Sequence, residues 1–396
     1  MESLWQRELR RRIRDISRLP EILQAPLSGD RAVSGFPEER ETGEPAGSST
    51  GTSIRSALPV ALTPSVVRLL ENAATAAKMT GPDSGSGDRA RQAYEALRLQ
   101  LLPSIREAVV SPHELDDPLG EHRHRITSRL VHQYKNRCLL LATGSCICYC
   151  RHCFRRVYTS REEGFITPAE TAEVCAYLSS HPEIAEILVS GGDPLTASDS
   201  ALADLLGDIR RASPDIIIRI GTRAPVFLPS RFTPELLELF RAQRPLWIIP
   251  HINHPAELAP ESADALCRIR DSGISMQSQT VLLRGVNDSV PVLVRLFNRL
   301  TALGVKPGYL FQGDMAPGTS HLRVPLRKGL ELYRQLRGEL SGLSTPVYAV
   351  DLPGGGGKFN LLEIESGSVT ETPDGWLFRR SGDGREGGEW FYPAEE

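Results

Sequence analysis

Four of the chain's seven cysteines fall in one short segment, Thr143-Gly-Ser-Cys146-Ile-Cys148-Tyr-Cys150-Arg-His-Cys153-Phe-Arg155-Arg156. Cys146, Cys150 and Cys153 stand in a CxxxCxxC spacing on a loop after a strand candidate. A tight irregular loop of this kind lets thiolates converge on a compact iron–sulfur cubane. Three thiolates on a four-iron cluster leave one iron without a protein ligand, where a small molecule can bind and be activated. A structural zinc site more often uses two separated CxxC knuckles, and the sequence has no second knuckle. Cys148 joining the other three keeps zinc as an alternative, and a run of packed thiols is another. A disulfide framework would spread its cysteines along the chain, so the clustering favours a reducing, cytoplasmic setting.

A second segment with chemical potential is Asp351-Leu-Pro-Gly-Gly-Gly-Gly-Lys358. A phosphate-binding P-loop would read GxxxxGK followed by Ser or Thr. Here Leu352 stands where its first glycine belongs and Phe359 follows the lysine, so that motif is rejected. Two readings remain: a plain flexible turn, or a lysine on a backbone that can move and approach a flat ring closely. Lysine forms a Schiff base with pyridoxal phosphate, and that link must open to admit a substrate amine. The chain has only Lys78, Lys135, Lys306, Lys328 and Lys358, so a lysine in this context is conspicuous.

Other candidates are weaker taken singly. Ser190-Gly191-Gly192-Asp193 follows a second strand candidate, where glycines serve either a ligand's close approach or an ordinary turn. His251 and Gln279 end or line later strands, and each reads equally as a satisfied polar group of the core. Tyr134 and Arg137 precede the cysteine loop and could hold a phosphate, the arginine by a charge-assisted fork. Arg155 lies two residues past the last cluster cysteine and otherwise reads as a surface arginine. Asp314 and Asp351, if they converge, would suit an ammonium group; alone, each reads as a cap or turn residue.

The elements that must position these groups are legible from periodicity. Strand candidates Cys138–Thr143, Ile187–Ser190, Ile216–Ile220, Leu246–Ile252, Met276–Leu283 and Tyr309–Phe311 alternate with helical patterns over 168–180, 198–212, 233–243, 260–272, 290–303 and 326–340. Six βα units in a row predict a parallel sheet, an open doubly wound one or a partial barrel, with its chemistry at the strand C-termini. Residues 3–24 have the spacing of one amphipathic helix with an arginine-rich outer face, either a docking helix or a subunit contact. The expected organisation is an N-terminal helix (1–27), a Gly/Ser/Pro-rich linker (28–58), a helical region (59–130), the α/β barrel (131–340) and a C-terminal lysine segment with a β appendage (341–396). A formal net charge of -3 argues against a nucleic-acid or membrane-surface partner. No apolar run approaches the roughly 20 residues of a membrane helix, and the charged N-terminus has no export signal.

The CxxxCxxC loop after the first strand of a six-unit array resembles the radical S-adenosylmethionine superfamily. Cys150-Arg-His-Cys-Phe-Arg-Arg156 is similar, more narrowly, to the lysine 2,3-aminomutase family. The resemblance spans residues 115–360 and includes Asp117-Pro-Leu119, Ser190-Gly-Gly-Asp-Pro-Leu195, His251-Ile-Asn-His254-Pro, Val281-Leu-Leu-Arg-Gly-Val-Asn-Asp288 and Pro353-Gly-Gly-Gly-Gly-Lys358. It implies a partial (β/α)6 radical-SAM barrel with an N-terminal helical region and a small C-terminal β appendage. It implies a 4Fe-4S cluster on Cys146, Cys150 and Cys153, and S-adenosylmethionine contacted by Ser190, Gly191, Gly192, Asp193, His251 and Gln279. Pyridoxal phosphate would be held by Tyr134, Arg137 and the Schiff-base lysine, Lys358. Arg155 would take the substrate carboxylate, and Asp314 with Asp351 its far ammonium. The implied reaction is 2,3-migration of the amino group of L-lysine to give β-lysine, in a homo-oligomer fed by a flavodoxin- or ferredoxin-type reductant.

Two departures stand out. Gln133 occupies a position that is basic in the family, which implies a weaker grip on phosphate or a substitute donor such as Arg223. No cysteine follows Cys267, whereas the family's well-known members bind structural zinc through C-terminal cysteines, so no such zinc is expected. Competing readings are an aminomutase for arginine, one for a lysyl group on elongation factor P, or an iron–sulfur protein without catalysis. The elongation-factor branch lacks the glycine–lysine segment, which favours a free amino acid.

Overall fold

A computed structural model describes residues 2–24, 58–80, 85–159, 164–362, 368–380 and 388–394. Nine strands form one sheet in sequence order. β1 (Leu130–Tyr134) is antiparallel to β2 (Arg137–Thr143). From β2 the sheet runs parallel through β3 (Glu186–Gly191), β4 (Ile217–Thr222), β5 (Leu246–Pro250), β6 (Ser275–Val281), β7 (Lys306–Phe311) and β8 (Val347–Leu352). β9 (Gly357–Asn360) turns back antiparallel on β8. The sheet's two ends do not pair, so it is an incomplete barrel, as the sequence predicts.

The six expected strands are present within a few residues, and a seventh parallel strand, β8, joins them. The expected divide at residue 341 therefore falls inside the barrel, because β8 and β9 extend the main sheet. Among the described residues, only β10 (Val369–Thr372), β11 (Gly375–Arg380) and β12 (Gly388–Pro393) form a separate three-stranded sheet.

Side-chain alternation along the strands creates the site. In β3 and β4 every second residue is buried: Ile187 and Val189, Ile218 and Ile220. These join Leu202, Leu205, Leu206 and Ile209 of the helix Asp199–Ala212 in the core. The intervening Glu186, Leu188, Ser190, Arg219 and Gly221 face the concave side and line a cavity there. A period of two thus gives each strand one face for the core and one for a ligand. The outer helices start on matching signals, such as Thr167, whose hydroxyl accepts from the Glu170 amide while Glu170 reaches back in a capping box.

The single helix expected over 3–24 is broken. Leu4–Arg10 is helical; Ile13 then pairs in a β-bridge with Leu62, and the chain resumes in the short helix Glu21–Gln24. Pairing with Leu62 requires extended backbone at Ile13, which outweighs local periodicity. The arm packs on the barrel, with the Arg231 guanidinium 4.1 Å from the Trp5 ring centroid. The helical pattern over 63–110 resolves into Pro64–Met79 and Gly85–Leu101. Most of the linker expected over 28–58 lies outside the described residues.

Candidate active site

A cavity of about 300 Å³ opens at the C-terminal ends of the strands. The candidates Cys146, Cys150, Cys153, Tyr134, Arg137, Arg155, Ser190, Gly191, Gly192, Asp193, His251, Gln279, Asp314, Asp351 and Lys358 all line it. Residues spread over more than 200 positions of sequence are brought to one place by the barrel's C-terminal rim.

The cysteine loop follows β2 and is seated on β3. Gly191 has φ +114°, and a Cβ there would lie 2.3 Å from the Thr143 oxygen; one on Gly192 would lie 2.1 Å from the Ser145 oxygen. The Gly192 and Asp193 amides donate to Thr143 and Ser145 carbonyls at 2.6 and 2.8 Å. The two glycines therefore let the cluster loop lie against the next strand. Asp193 is a joint of this scaffold. Its buried carboxylate accepts from the Thr222 hydroxyl at 2.9 Å and from the Leu195 and Arg223 amides at 3.0 and 2.9 Å.

Burial, then the neighbouring Cys150, pushes the Cys153 thiol up to about 11. Burial followed by Cys153 and Cys150 raises Cys146 further. Two buried thiols, Cys146 and Cys153, whose ionisation is opposed by burial and by neighbouring sulfur are donors that a cationic metal cluster would relieve. Arg223 Nη1 donates to Cys150 Sγ at 3.0 Å, so a positive group already faces one sulfur. Among the described residues no three Cys, His, Asp or Glu side chains close around a single ion. The three thiols border a shared cavity instead, an arrangement that suits a cluster several ångströms across. Cys148 also borders this cavity, but it is only 3% exposed and packs into the hydrophobic core.

Arg223 is not placed to substitute for a basic residue at position 133. Its guanidinium is occupied by Cys150, the His251 carbonyl and the buried Glu257 carboxylate. Burial first, then Arg223, lowers the His251 imidazole to about 3, and its Nε2 meets Asn253 Oδ1 at 2.9 Å. A backbone bridge sets His251 beside Gln279.

The lysine segment is more tightly held than a flexible turn. Gly354, Gly355 and Gly357 have φ of +69°, +99° and +70°, values that favour glycine. The Gly354 amide donates to the Pro118 carbonyl at 2.9 Å, Gln133 Nε2 donates to the Gly355 carbonyl at 3.0 Å, and Trp390 covers Gly356. The glycines serve tight curvature and close packing, a correction to the expected loose backbone. Tyr134 accepts from the Lys358 amide at 2.8 Å and carries the Arg137 guanidinium 3.9 Å from its ring centroid. The β8–β9 pairing sets Lys358 directly opposite Asp351. Lys358 Nζ lies 4.4 Å from the Tyr309 and 4.5 Å from the Phe311 ring centroids, a flat aromatic floor. The lysine, Tyr134 and Arg137 fit a flat aldehyde cofactor bearing a phosphate.

Asp314 follows β7 and is half-buried at the cavity wall. Burial, then Asp351, pushes its carboxyl well above the usual range, against the pull of Arg155 and Lys358. Arg155 forms a two-pronged pair with Glu121, Nε to Oε2 at 3.2 Å and Nη2 to Oε1 at 2.5 Å. Sequence reasoning missed Glu121, Tyr309 and Phe311. Glu121 stands two residues past the quoted Asp117-Pro-Leu119, but nothing local ties it to Arg155.

A family profile for a 4Fe-4S single-cluster domain matches residues 136–239. The chain is 53% identical over 270 residues to a Treponema pallidum protein provisionally named L-lysine 2,3-aminomutase, covering 68% of this chain and 76% of that one. It is 41% identical over 266 residues to the L-lysine 2,3-aminomutase of Fusobacterium nucleatum, covering 67% of this chain and 63% of the relative. It is 34% identical over 268 residues to the glutamate 2,3-aminomutase of Clostridioides difficile, covering 68% and 63%.

Proposed function

The chain belongs to the lysine 2,3-aminomutase family, and from that premise we propose that it isomerises free L-lysine to β-lysine by moving the amino group from C2 to C3. The observation that carries the choice of substrate is the charge layout of the cavity. Asp314 and Asp351 share one wall, Lys358 stands opposite Asp351, and Arg155 lies within electrostatic reach of Asp314. An amino acid with a cationic side chain matches this layout, its ammonium between the aspartates and its carboxylate at Arg155. A glutamate side chain would set a third carboxylate beside two, one of which already resists ionisation.

When bound, the 4Fe-4S cluster with S-adenosylmethionine supplies a hydrogen-abstracting radical, and pyridoxal phosphate supplies the carbonyl group that carries the migrating nitrogen. In this reading Cys146, Cys150 and Cys153 hold the cluster. Ser190, Gly191, Gly192, Asp193, His251 and Gln279 form the S-adenosylmethionine side of the cavity, and Tyr134, Arg137 and Lys358 the pyridoxal phosphate side. The Tyr309–Phe311 floor keeps water from the reacting face. The electron comes from a flavodoxin- or ferredoxin-type donor in the cytoplasm, and the working form is a homo-oligomer. No described helix is long and apolar enough to cross a membrane.

The test is anaerobic reconstitution with iron, sulfide, pyridoxal phosphate and S-adenosylmethionine. The protein is then incubated with lysine, arginine or glutamate and the products are resolved by mass spectrometry. β-Lysine is the expected product; rearrangement of arginine or glutamate alone would overturn the choice of substrate. Borohydride should fix the cofactor on the Lys358 peptide, and Lys358→Ala should lose both the adduct and turnover, by about a thousandfold or more. Parent-rate turnover in that variant would remove Lys358 from its role.

A further inference from the structure

Glu121 occupies both inner donors of Arg155 while lying in the same cavity. The two side chains are 13% and 14% exposed, so the pair is largely withdrawn from water. The Phe154 ring lies 4.4 Å from the guanidinium carbon and packs on its face. One edge and one face of the guanidinium are therefore fixed. Nη1 and the outer edge of Nη2 remain as the edge a carboxylate can reach, because a planar fork offers two parallel donors on each side.

Glu121 is itself held from outside the cavity. The Asp117 carboxylate accepts from the Glu121 and His122 amides at 3.0 and 2.9 Å. Gly120, at φ +65°, lies so close to the lysine segment that a Cβ would sit 2.6 Å from Gly355 N. Arg123 Nη1 donates to the Gly354 carbonyl at 3.1 Å. One turn, residues 117–123, thus holds Arg155 through Glu121 and also abuts the glycines that lead to Lys358.

We propose that Glu121 is a positioning residue that orients Arg155 for the substrate's α-carboxylate and so selects for substrates that carry one; this rests on the reading of Arg155 given above. Charge supplies the reason the position needs an acid. Without Glu121, Arg155 is an uncompensated cation in a cavity with Asp314 and Asp351. It would turn toward those aspartates and close the space that the substrate spans. Glu121 keeps the cation at one end and the anions at the other.

The test compares Glu121→Gln and Glu121→Ala with the parent, using cofactor-loaded protein. KM and kcat are measured with lysine, and calorimetry measures binding of lysine and of 1,5-diaminopentane, which lacks the carboxylate. In Glu121→Ala the lysine KM and dissociation constant should rise about tenfold or more with kcat within about threefold. Glu121→Gln retains the shape and one acceptor and should recover part of the loss. Diaminopentane binding should change less than about twofold, since only the carboxylate end is disturbed. An unchanged or tighter lysine affinity in Glu121→Ala overturns the proposal, as does a parallel loss of diaminopentane binding. If the parent binds lysine but does not rearrange it, while the variants lose lysine binding selectively, the orienting role stands and the assigned reaction falls.

Discussion

At the scale of single residues, the cavity places acids where burial opposes their charge. Asp314 is the clearest case: burial and Asp351 raise its carboxyl well above the ordinary value. A carboxyl with a raised folded-state pKa adds stability below its unfolded value, near pH 4, and that contribution is lost as pH rises through the folded pKa. At pH 7–8 ligand-free Asp314→Asn should therefore be more stable than the parent, by about 1 kcal/mol, a familiar exchange of stability for function. The gap should shrink toward pH 4. The same change should raise the lysine KM by about tenfold or more, because it removes half of the proposed ammonium site. Urea unfolding across this pH range reads the first effect and steady-state kinetics the second. A variant less stable at neutral pH would show that Asp314 is compensated by a group the present layout does not identify.

At the scale of elements, glycine positions explain what the sequence could and could not reveal. The cysteine loop and Gly191-Gly192 were legible because spacing alone marks them, and the six βα units were legible from period. Strand β8 is hidden in the sequence: Val347–Leu352 runs straight into the glycine turn, with no break that separates it from the lysine segment. Glu121 was hidden for a different reason, since its partner lies 34 positions away and no pattern of period two or 3.6 links them. The order of the glycine turn is hidden for the same reason, because Pro118, Gln133 and Trp390 hold it from distant parts of the chain. These contacts make Gly120 a sensitive position. Gly120→Ala places a methyl against Gly355 N and strains a left-handed backbone, at a cost of about 1–3 kcal/mol. The glycine turn and Glu121 must shift together, so the lysine KM should rise along with the loss in denaturant midpoint. A change in stability without any change in KM would separate the turn from the site.

At the scale of the molecule, the helical layer before the barrel fixes the cluster loop through buried charge. Glu107, just after the layer's last long helix, accepts from Arg151 Nε at 2.8 Å and from Arg156 Nη2 at 2.7 Å. Arg151 and Arg156 are each 1% exposed and Glu107 is 4% exposed. Arg151 lies between Cys150 and Cys153, so this triad ties the proposed cluster ligands to a segment more than 40 residues upstream. Burial alone would raise the Glu107 carboxyl, but the two arginines hold it below its ordinary value. Its stabilising contribution is therefore present above an unfolded value near pH 4.3 and is lost as pH falls through the folded pKa. Removing the acid leaves two buried guanidinium groups sharing no carboxylate, which in such sites costs about 3–5 kcal/mol. Glu107→Ala should lower unfolding free energy by that order at pH 7. It should also reduce the iron retained per chain after anaerobic reconstitution, because Arg151 can no longer hold the loop between two of the cysteines. Glu107→Gln keeps the hydrogen-bond acceptor without the charge and should fall between. If Glu107→Ala unfolded at the parent's denaturant concentration and retained the parent's iron, the buried charge at Glu107 would have no part in fixing the loop, which would then rest on β2, β3 and on backbone contacts such as the Arg151 amide to the Gln100 carbonyl at 2.8 Å.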